Sequence, residues 1–133
     1  MRLHHIAYVT ASLERKCAQL AHLFGLRLTG APVVDQVQGV RIQFMQTAKG
    51  DLFEVLEPYG DKSPVLRHLT KGGGLYHVCF EVDDLDSTLR HFTDSGQAAV
   101  VCEPVPAPAI SHRRVAFVVT EDRDLIEFLE AAK

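Results

Sequence analysis

The second half of this 133-residue chain repeats the first half. Segment Leu3–Ser12 matches Leu75–Asp84, and the equivalent histidines, His5 and His77, are 72 positions apart. A second match, at an offset of 73, joins two later segments, Leu52–Glu57 and Leu125–Glu130. Each half therefore begins with a strand-like segment that carries a histidine and ends with one that carries a glutamate.

Each half is predicted to fold as a βαβββ module. In the first half, the β-rich segment Leu3–Val9 precedes Leu13–Phe24, whose apolar residues recur at helical spacing before Gly25. Three further strands are predicted to follow, at Leu26–Val34, Val40–Met45 and Leu52–Leu56. We therefore expect a single domain of the α+β class, in which module one covers residues 1–58, a connector covers residues 59–74 and module two covers residues 75–133.

Glycine and proline predict three local features outside this pattern. Ser63 and Pro64 are typical of a helix start, and a short helix is expected from there through Leu69. The run Gly72–Gly74 predicts a hinge between the modules, because no phosphate-binding frame surrounds it. The proline-rich segment Glu103–Pro108 is expected to be a stiff loop outside the sheet.

Composition excludes several classes of partner. The net charge is -3 without a basic run, so neither nucleic acid nor an anionic membrane surface is expected to bind. No stretch approaches the roughly 20 apolar residues of a membrane-spanning helix, and the start of the chain lacks the apolar core of a signal peptide.

The three cysteines are widely spaced and form no CxxC pair, which is typical of reduced thiols. A cytoplasmic protein is expected.

The repeat also preserves polar residues that a shared core does not require. Two modules with apolar sheet faces would stack into one core, which explains the repeated leucines and phenylalanines. Strand alternation, however, places four ionisable side chains away from the helix-packing residues, and burying them unpaired would cost several kcal/mol each. These four are His5, Glu54, His77 and Glu127. The other five histidines are expected to be structural: His4, His22, His68, His91 and His112.

A divalent cation would offset that cost. Two imidazoles and two carboxylates supply neutral nitrogen and anionic oxygen ligands, and they leave two open positions in an octahedral shell. This donor set suits Mn, Co, Ni, Fe(II) or Zn. A metal site at these four residues is therefore predicted.

The two βαβββ modules, with an early histidine and a late glutamate in each, resemble the vicinal oxygen chelate superfamily of glyoxalases, bleomycin resistance proteins and dioxygenases. The resemblance covers essentially the whole chain. Four segments are similar to methylmalonyl-CoA epimerases: Ser63–Leu66, Gly74–Val78, Phe80–Leu85 and Arg114–Phe117. The resemblance implies a homodimer and one curved eight-stranded sheet or barrel around a metal site, with the ligands His5, Glu54, His77 and Glu127.

The resemblance also implies a reaction. A proton would be removed from the carbon between a thioester carbonyl and a carboxylate, while the metal chelates both oxygens and stabilises the enediolate. Glu127 is the predicted base on one face of the substrate. In the resembling enzymes a second glutamate corresponds to position 37, where this chain has Val37, and Asp35 is the predicted substitute. The substrate is expected to be a carboxyacyl-CoA.

Two other functions on the same fold remain open at this point. A glyoxalase-like lyase uses a similar set of histidines and glutamates, although Leu13–Phe24 lacks the aromatic pair and arginine of glutathione-dependent members. A small-molecule-binding protein without turnover is favoured by Val37 and opposed by the complete set of four ligands.

Overall fold

The two repeats form two structural units. The computed structural model describes residues 1–133 and divides the chain into a unit of residues 5–76 and a unit that joins residues 1–4 with residues 77–133. The chain forms nine strands and three α-helices, which confirms the predicted α+β class. None of these helices has the length and apolar character needed to span a lipid bilayer.

The first repeat builds a sheet with one helix on its face and a short second helix after it. Its strand order is β2-β4-β5-β1, and β3 also pairs with β4. The pair β1 and β5 is parallel, whereas β4 is antiparallel to β5. The elements are β1 (Arg2–Val9), α1 (Leu13–Phe24), β2 (Arg27–Leu28), β3 (Val33–Asp35), β4 (Val40–Gln46), β5 (Leu52–Pro58) and α2 (Leu66–Thr70).

The second repeat has the same connectivity. Its strand order is β6-β9-β8-β7, with β6 and β9 parallel and the other neighbours antiparallel. The elements are β6 (Gly74–Val82), α3 (Leu85–Asp94), β7 (Ala98–Ala107), β8 (Arg113–Thr120) and β9 (Leu125–Glu130), with a single 3-10 turn at Pro108–Ile110.

A side chain caps the start of each of the two longer helices, and α1 begins at Leu13 as predicted. Ser12 Oγ accepts a hydrogen bond from the Arg15 amide at 3.3 Å, and Asp84 Oδ1 accepts one from the Ser87 amide at 2.8 Å. Both caps satisfy an amide that the first helical turn leaves without a partner. Each helix then packs its apolar face on its own sheet, so each unit has its own core cluster.

The predicted strand Leu26–Val34 is wrong, because two strands occupy this segment. Arg27 pairs with Gln46 in β2, and Val33 pairs with Ile42 in β3. Between them, Gly30 has a φ of 118°, which favours glycine, and Pro32 has no amide hydrogen for a ladder. The chain therefore has nine strands rather than the eight predicted.

The prediction for the proline-rich segment is also wrong, since residues 103–107 belong to β7. Val105 pairs with Val115, and Pro106 pairs with Arg114. A proline is tolerated here because β7 is the last strand of its sheet and pairs only with β8. The pairing of β7 with β8 shifts register on both sides of Cys102. Such bulges bend a strand locally.

The connector contains a short helix and one close backbone approach, and the predicted hinge at its glycine run stays a prediction. Its helix begins at Leu66 without a side-chain cap, so Ser63 does not have the predicted capping role. Gly73 has a φ of 69°, and a Cβ atom at this position would lie 2.8 Å from the carbonyl oxygen of Val9. Gly73 therefore permits a close backbone approach within the unit of residues 5–76.

The last strand of each repeat carries a second glutamate, Glu57 on β5 and Glu130 on β9, and each of them forms an ion pair with an arginine. Arg41 contacts Glu57 at 3.1 Å and Glu14 at 2.6 Å. In the second repeat, Arg114 contacts Glu130 at 2.9 Å and Asp86 at 3.1 Å. Each arginine thus links the last strand of its module to the first turn of its helix by two ion pairs.

Replacing Arg114 by methionine is expected to destabilise the protein at neutral pH and to have a smaller effect in acid. Arg114 holds the pKa of Glu130 down, from its ordinary value of 4.5 to about 2. A lowered carboxyl pKa stabilises the fold above pH 4.5, and this contribution is lost as the pH falls towards 2. Urea unfolding of both proteins between pH 7 and pH 2 measures the difference.

Arg90→Met is the matched control, because it removes the same charge from an exposed residue of α3 that has no ion pair. The Arg90 variant should show no pH-dependent loss. A destabilisation by Arg114→Met that stays constant down to pH 2 would contradict this account of Glu130.

Candidate metal centre

The first histidine–glutamate pair lies on two adjacent parallel strands. Glu54 on β5 is in register with Ala7 on β1, and His5 points to the same face as Ala7 because it is two residues away. His5 is 1% exposed and Glu54 is 4% exposed. The imidazole Nε2 lies 3.5 Å from Glu54 Oε1.

The second repeat reproduces this pair almost atom for atom. Glu127 on β9 is in register with Cys79 on β6, two residues after His77. His77 and Glu127 are 4% and 3% exposed, and His77 Nε2 lies 3.4 Å from Glu127 Oε2. Each repeat therefore holds one buried imidazole beside one buried carboxylate at the same strand positions.

An aromatic ring supports each imidazole, and sequence reasoning missed this role. Phe44 is in register with Glu54, and its ring meets His5 edge-on at 5.3 Å and 83°. Phe117 is in register with Glu127 and meets His77 at 5.2 Å and 82°. The sequence did contain a signal for this role. The Arg-x-x-Phe segments at 41–44 and 114–117 place the two phenylalanines 73 residues apart, the same offset as between Glu54 and Glu127.

The spacing within each pair fits two ligands of one cation better than it fits a hydrogen bond. A charge-assisted N–H···O bond is about 2.7–2.9 Å long, shorter than either separation. Two ligand atoms at about 2.1 Å from an ion, with a tetrahedral or octahedral angle between them, lie roughly 3.0 to 3.4 Å apart. Each pair also combines an imidazole nitrogen with a carboxylate oxygen, which are donors for Zn, Mn, Co, Ni or Fe(II).

Apolar side chains keep the surroundings of these pairs dry. In the second repeat, four residues of one buried cluster lie on the face that carries Glu127: Cys79, Val115, Phe117 and Leu129. In the first repeat, Ala7, Val9 and Ile42 are buried on the face that carries Glu54. A dry, low-dielectric setting strengthens charge interactions with any ion or substrate bound there.

Asp35 does not lie beside the first pair. It is in register with Val40, four residues along β4 from Phe44, which is roughly 13 Å along the strand. Asp35 is buried, and its two oxygens accept hydrogen bonds from the amide and the side chain of Gln38 at 2.9 and 3.2 Å. Val37 lies in the intervening turn and is 78% exposed. The assignment of Asp35 as a second base stays a prediction.

Comparisons with known proteins agree with this architecture. The sequence model of the Glyoxalase/Bleomycin resistance protein/Dioxygenase superfamily matches residues 4–117. The mitochondrial methylmalonyl-CoA epimerase of Dictyostelium discoideum is 32% identical over 78 residues. This match covers 57% of the present chain and 46% of the relative, so it spans less than half of that protein's length.

Solved structures match over nearly the full chain. A variant of Streptomyces coelicolor methylmalonyl-CoA epimerase in complex with 2-nitronate-propionyl-CoA has a TM-score of 0.83 and 25% identity, and it covers 100% of this chain and 99% of its own. The Mycobacterium tuberculosis methylmalonyl-CoA epimerase has a TM-score of 0.86 and 23% identity, with coverages of 99% and 89%. The second likeness concerns the fold alone.

Proposed function

Because this chain belongs to the glyoxalase/bleomycin resistance protein/dioxygenase superfamily, we propose that it is a metal-dependent isomerase that abstracts a proton next to a thioester carbonyl. The substrate class is a carboxyacyl-CoA of the methylmalonyl-CoA type. The observation that carries the proposal is the pair of buried histidine–glutamate sites, one in each repeat, with matching separations of 3.5 and 3.4 Å. Similarity to methylmalonyl-CoA epimerases supports the choice of substrate.

In this proposal the four side chains His5, Glu54, His77 and Glu127 hold one divalent cation jointly. When bound, such a cation supplies positive charge for the oxygen atoms on which negative charge develops. Phe44 and Phe117 fix the orientation of the imidazoles through their edge-on contacts. The apolar neighbours exclude water, so that the charges on the glutamates are not screened.

Glu127 is the proposed base. A carboxylate at this position would take the proton from the carbon between the two carbonyl groups and return it to the same carbon, which leaves the enzyme unchanged. Asp35 is the proposed second base, although its hydrogen bonds to Gln38 hold both of its oxygens in the present conformation. A single base exchanges the proton on one face, whereas epimerisation needs delivery to both faces.

Deuterium uptake tests the reaction. Metal-loaded protein in heavy water is expected to introduce deuterium at C2 of methylmalonyl-CoA, because removal and return of the proton pass through a solvent-exchanged carboxyl group. Propionyl-CoA, which lacks the second carbonyl group, is the matched substrate and should exchange far more slowly. The absence of exchange with metal bound would contradict the proposal, and turnover of a 2-oxoaldehyde–thiol adduct would favour the lyase instead.

The variant Asp35→Asn separates the two base assignments in the same assay. If Asp35 is the second base, the variant loses epimerisation but keeps exchange on the face served by Glu127. If both activities persist, the assignment of Asp35 is wrong. A homodimer also stays a prediction for this chain.

A further inference from the structure

A cleft lies between α1 and the sheet of the first repeat, on the face opposite His5 and Glu54. Strand alternation directs Phe44 towards Glu54 and directs Gln43 and Met45 towards α1. The cleft has a volume of about 570 Å³ and is lined mainly by apolar side chains. This size falls within the roughly 300–1,000 Å³ of small-molecule sites.

Small residues on α1 create this space. The helix contributes Cys17, Ala18 and Ala21 to the cleft wall. The second repeat has Leu89 at the position equivalent to Cys17, which is 72 residues further along the chain. It has Phe128 at the position equivalent to Val55, 73 residues further along. Phe128 is fully buried in that core. At these two positions the first repeat therefore carries smaller side chains than the second.

Gln43 is the unexpected residue in this wall. It is only 3% exposed, although the second repeat has an alanine, Ala116, at the equivalent position. Its amide nitrogen donates to the carbonyl oxygens of Gly30 and Phe44 at 3.0 and 2.8 Å, which fixes the orientation of the amide. No protein group donates a hydrogen bond to its Oε1, and Gln43 is one of the residues that line the cleft.

The charges at the edge of the cleft are already paired. Glu14 lines the cleft, but its Oε1 is 2.6 Å from Arg41 Nη2, and this contact lowers the pKa of the glutamate. Burial raises the pKa of the Cys17 thiol, which therefore stays protonated and apolar. One hydrogen-bond acceptor in a neutral, apolar wall is the feature that a ligand would have to match.

We propose that this cleft binds a small, neutral, apolar molecule that carries one hydroxyl or amide N–H group, which donates to Gln43 Oε1. The site lies on the opposite face of the same strands from the histidine–glutamate pair and takes no part in the proposed reaction. A donor on the ligand would supply the hydrogen bond that Gln43 Oε1 does not receive from the protein, and a buried acceptor without a partner costs free energy.

1-Naphthol is the test probe, and 1-methoxynaphthalene, which has no donor, is its matched control. Titration followed by naphthol fluorescence is expected to give one site per chain. Gln43→Ala should weaken 1-naphthol binding about 3- to 10-fold, the effect of one hydrogen bond, and should leave 1-methoxynaphthalene binding unchanged. Equal effects on the two compounds, or no effect on either, would overturn the role of Gln43.

A second variant tests the location. Cys17→Leu, which introduces the residue of the second repeat, should fill the cleft and abolish 1-naphthol binding, whereas Cys102→Leu, the same change in the other unit, should not. Unchanged binding by a folded Cys17→Leu protein would place the probe elsewhere and overturn the proposal. None of these measurements depends on turnover or on a bound metal, so their failure is distinct from a failure of the proposed isomerase function.

Discussion

Replacing Glu127 by glutamine is expected to lower proton exchange at C2 of methylmalonyl-CoA by about 10²- to 10⁴-fold, the usual contribution of a positioned base. The glutamine keeps an oxygen that can bind a cation, but its amide cannot take up a proton. Glu127 is buried beside His77, so no water-borne base is expected to replace it. Exchange is measured by mass spectrometry of the recovered thioester.

Glu54→Gln provides the matched control, because Glu54 occupies the equivalent position beside His5. In our proposal Glu54 binds the cation but transfers no proton, so the metal-loaded Glu54 variant should lose much less exchange activity than the metal-loaded Glu127 variant. Equal losses in the two variants, with metal still bound, would show that Glu127 has no special role in proton transfer.

Phe128→Ala is expected to lower the free energy of unfolding by about 3–5 kcal/mol. The side chain is fully buried, and its ring lies 4.8 Å from the ring of Phe92 on α3. Removing it leaves a cavity between α3 and the sheet, and the rigid strands can collapse into it only in part. Denaturant unfolding in urea measures the loss.

Val55→Ala is the matched control for the loss of stability caused by Phe128→Ala. Val55 is the equivalent residue of the first repeat and is also fully buried, but its truncation removes far fewer atoms. The Val55 variant should therefore lose clearly less stability than the Phe128 variant. A Phe128→Ala protein as stable as the original would mean that this aromatic contact is not a main part of the second core.

The repeat made much of the fold predictable. Because His5 and His77 stand at equivalent places, one strand–helix pattern could be checked against a second copy, and α1 spans the predicted residues Leu13–Phe24. The superfamily inferred from the residues is confirmed by the match over residues 4–117. Strand alternation, a local property that a sequence displays directly, predicted the face on which each histidine and each glutamate lies. Their pairing depends on the parallel contacts of β1 with β5 and of β6 with β9.

The errors arose where long-range pairing overrides local preference. Prolines at 104 and 106 argued against a strand, but the edge position of β7 leaves their missing amide hydrogens outside the ladder. The close approach of Gly73 to the carbonyl of Val9 is likewise a long-range contact that the sequence does not show. The hydrogen bonds between Asp35 and Gln38 likewise depend on the shape of a turn, which residue types alone do not determine.

Metal analysis of protein purified without chelator tests the central claim most directly. We predict one divalent cation per chain. In our proposal both repeats supply ligands to the same ion, so His5→Ala in the first repeat and His77→Ala in the second should each remove most of it. Two cations per chain, or a full metal load in either variant, would contradict a single site shared by the two repeats.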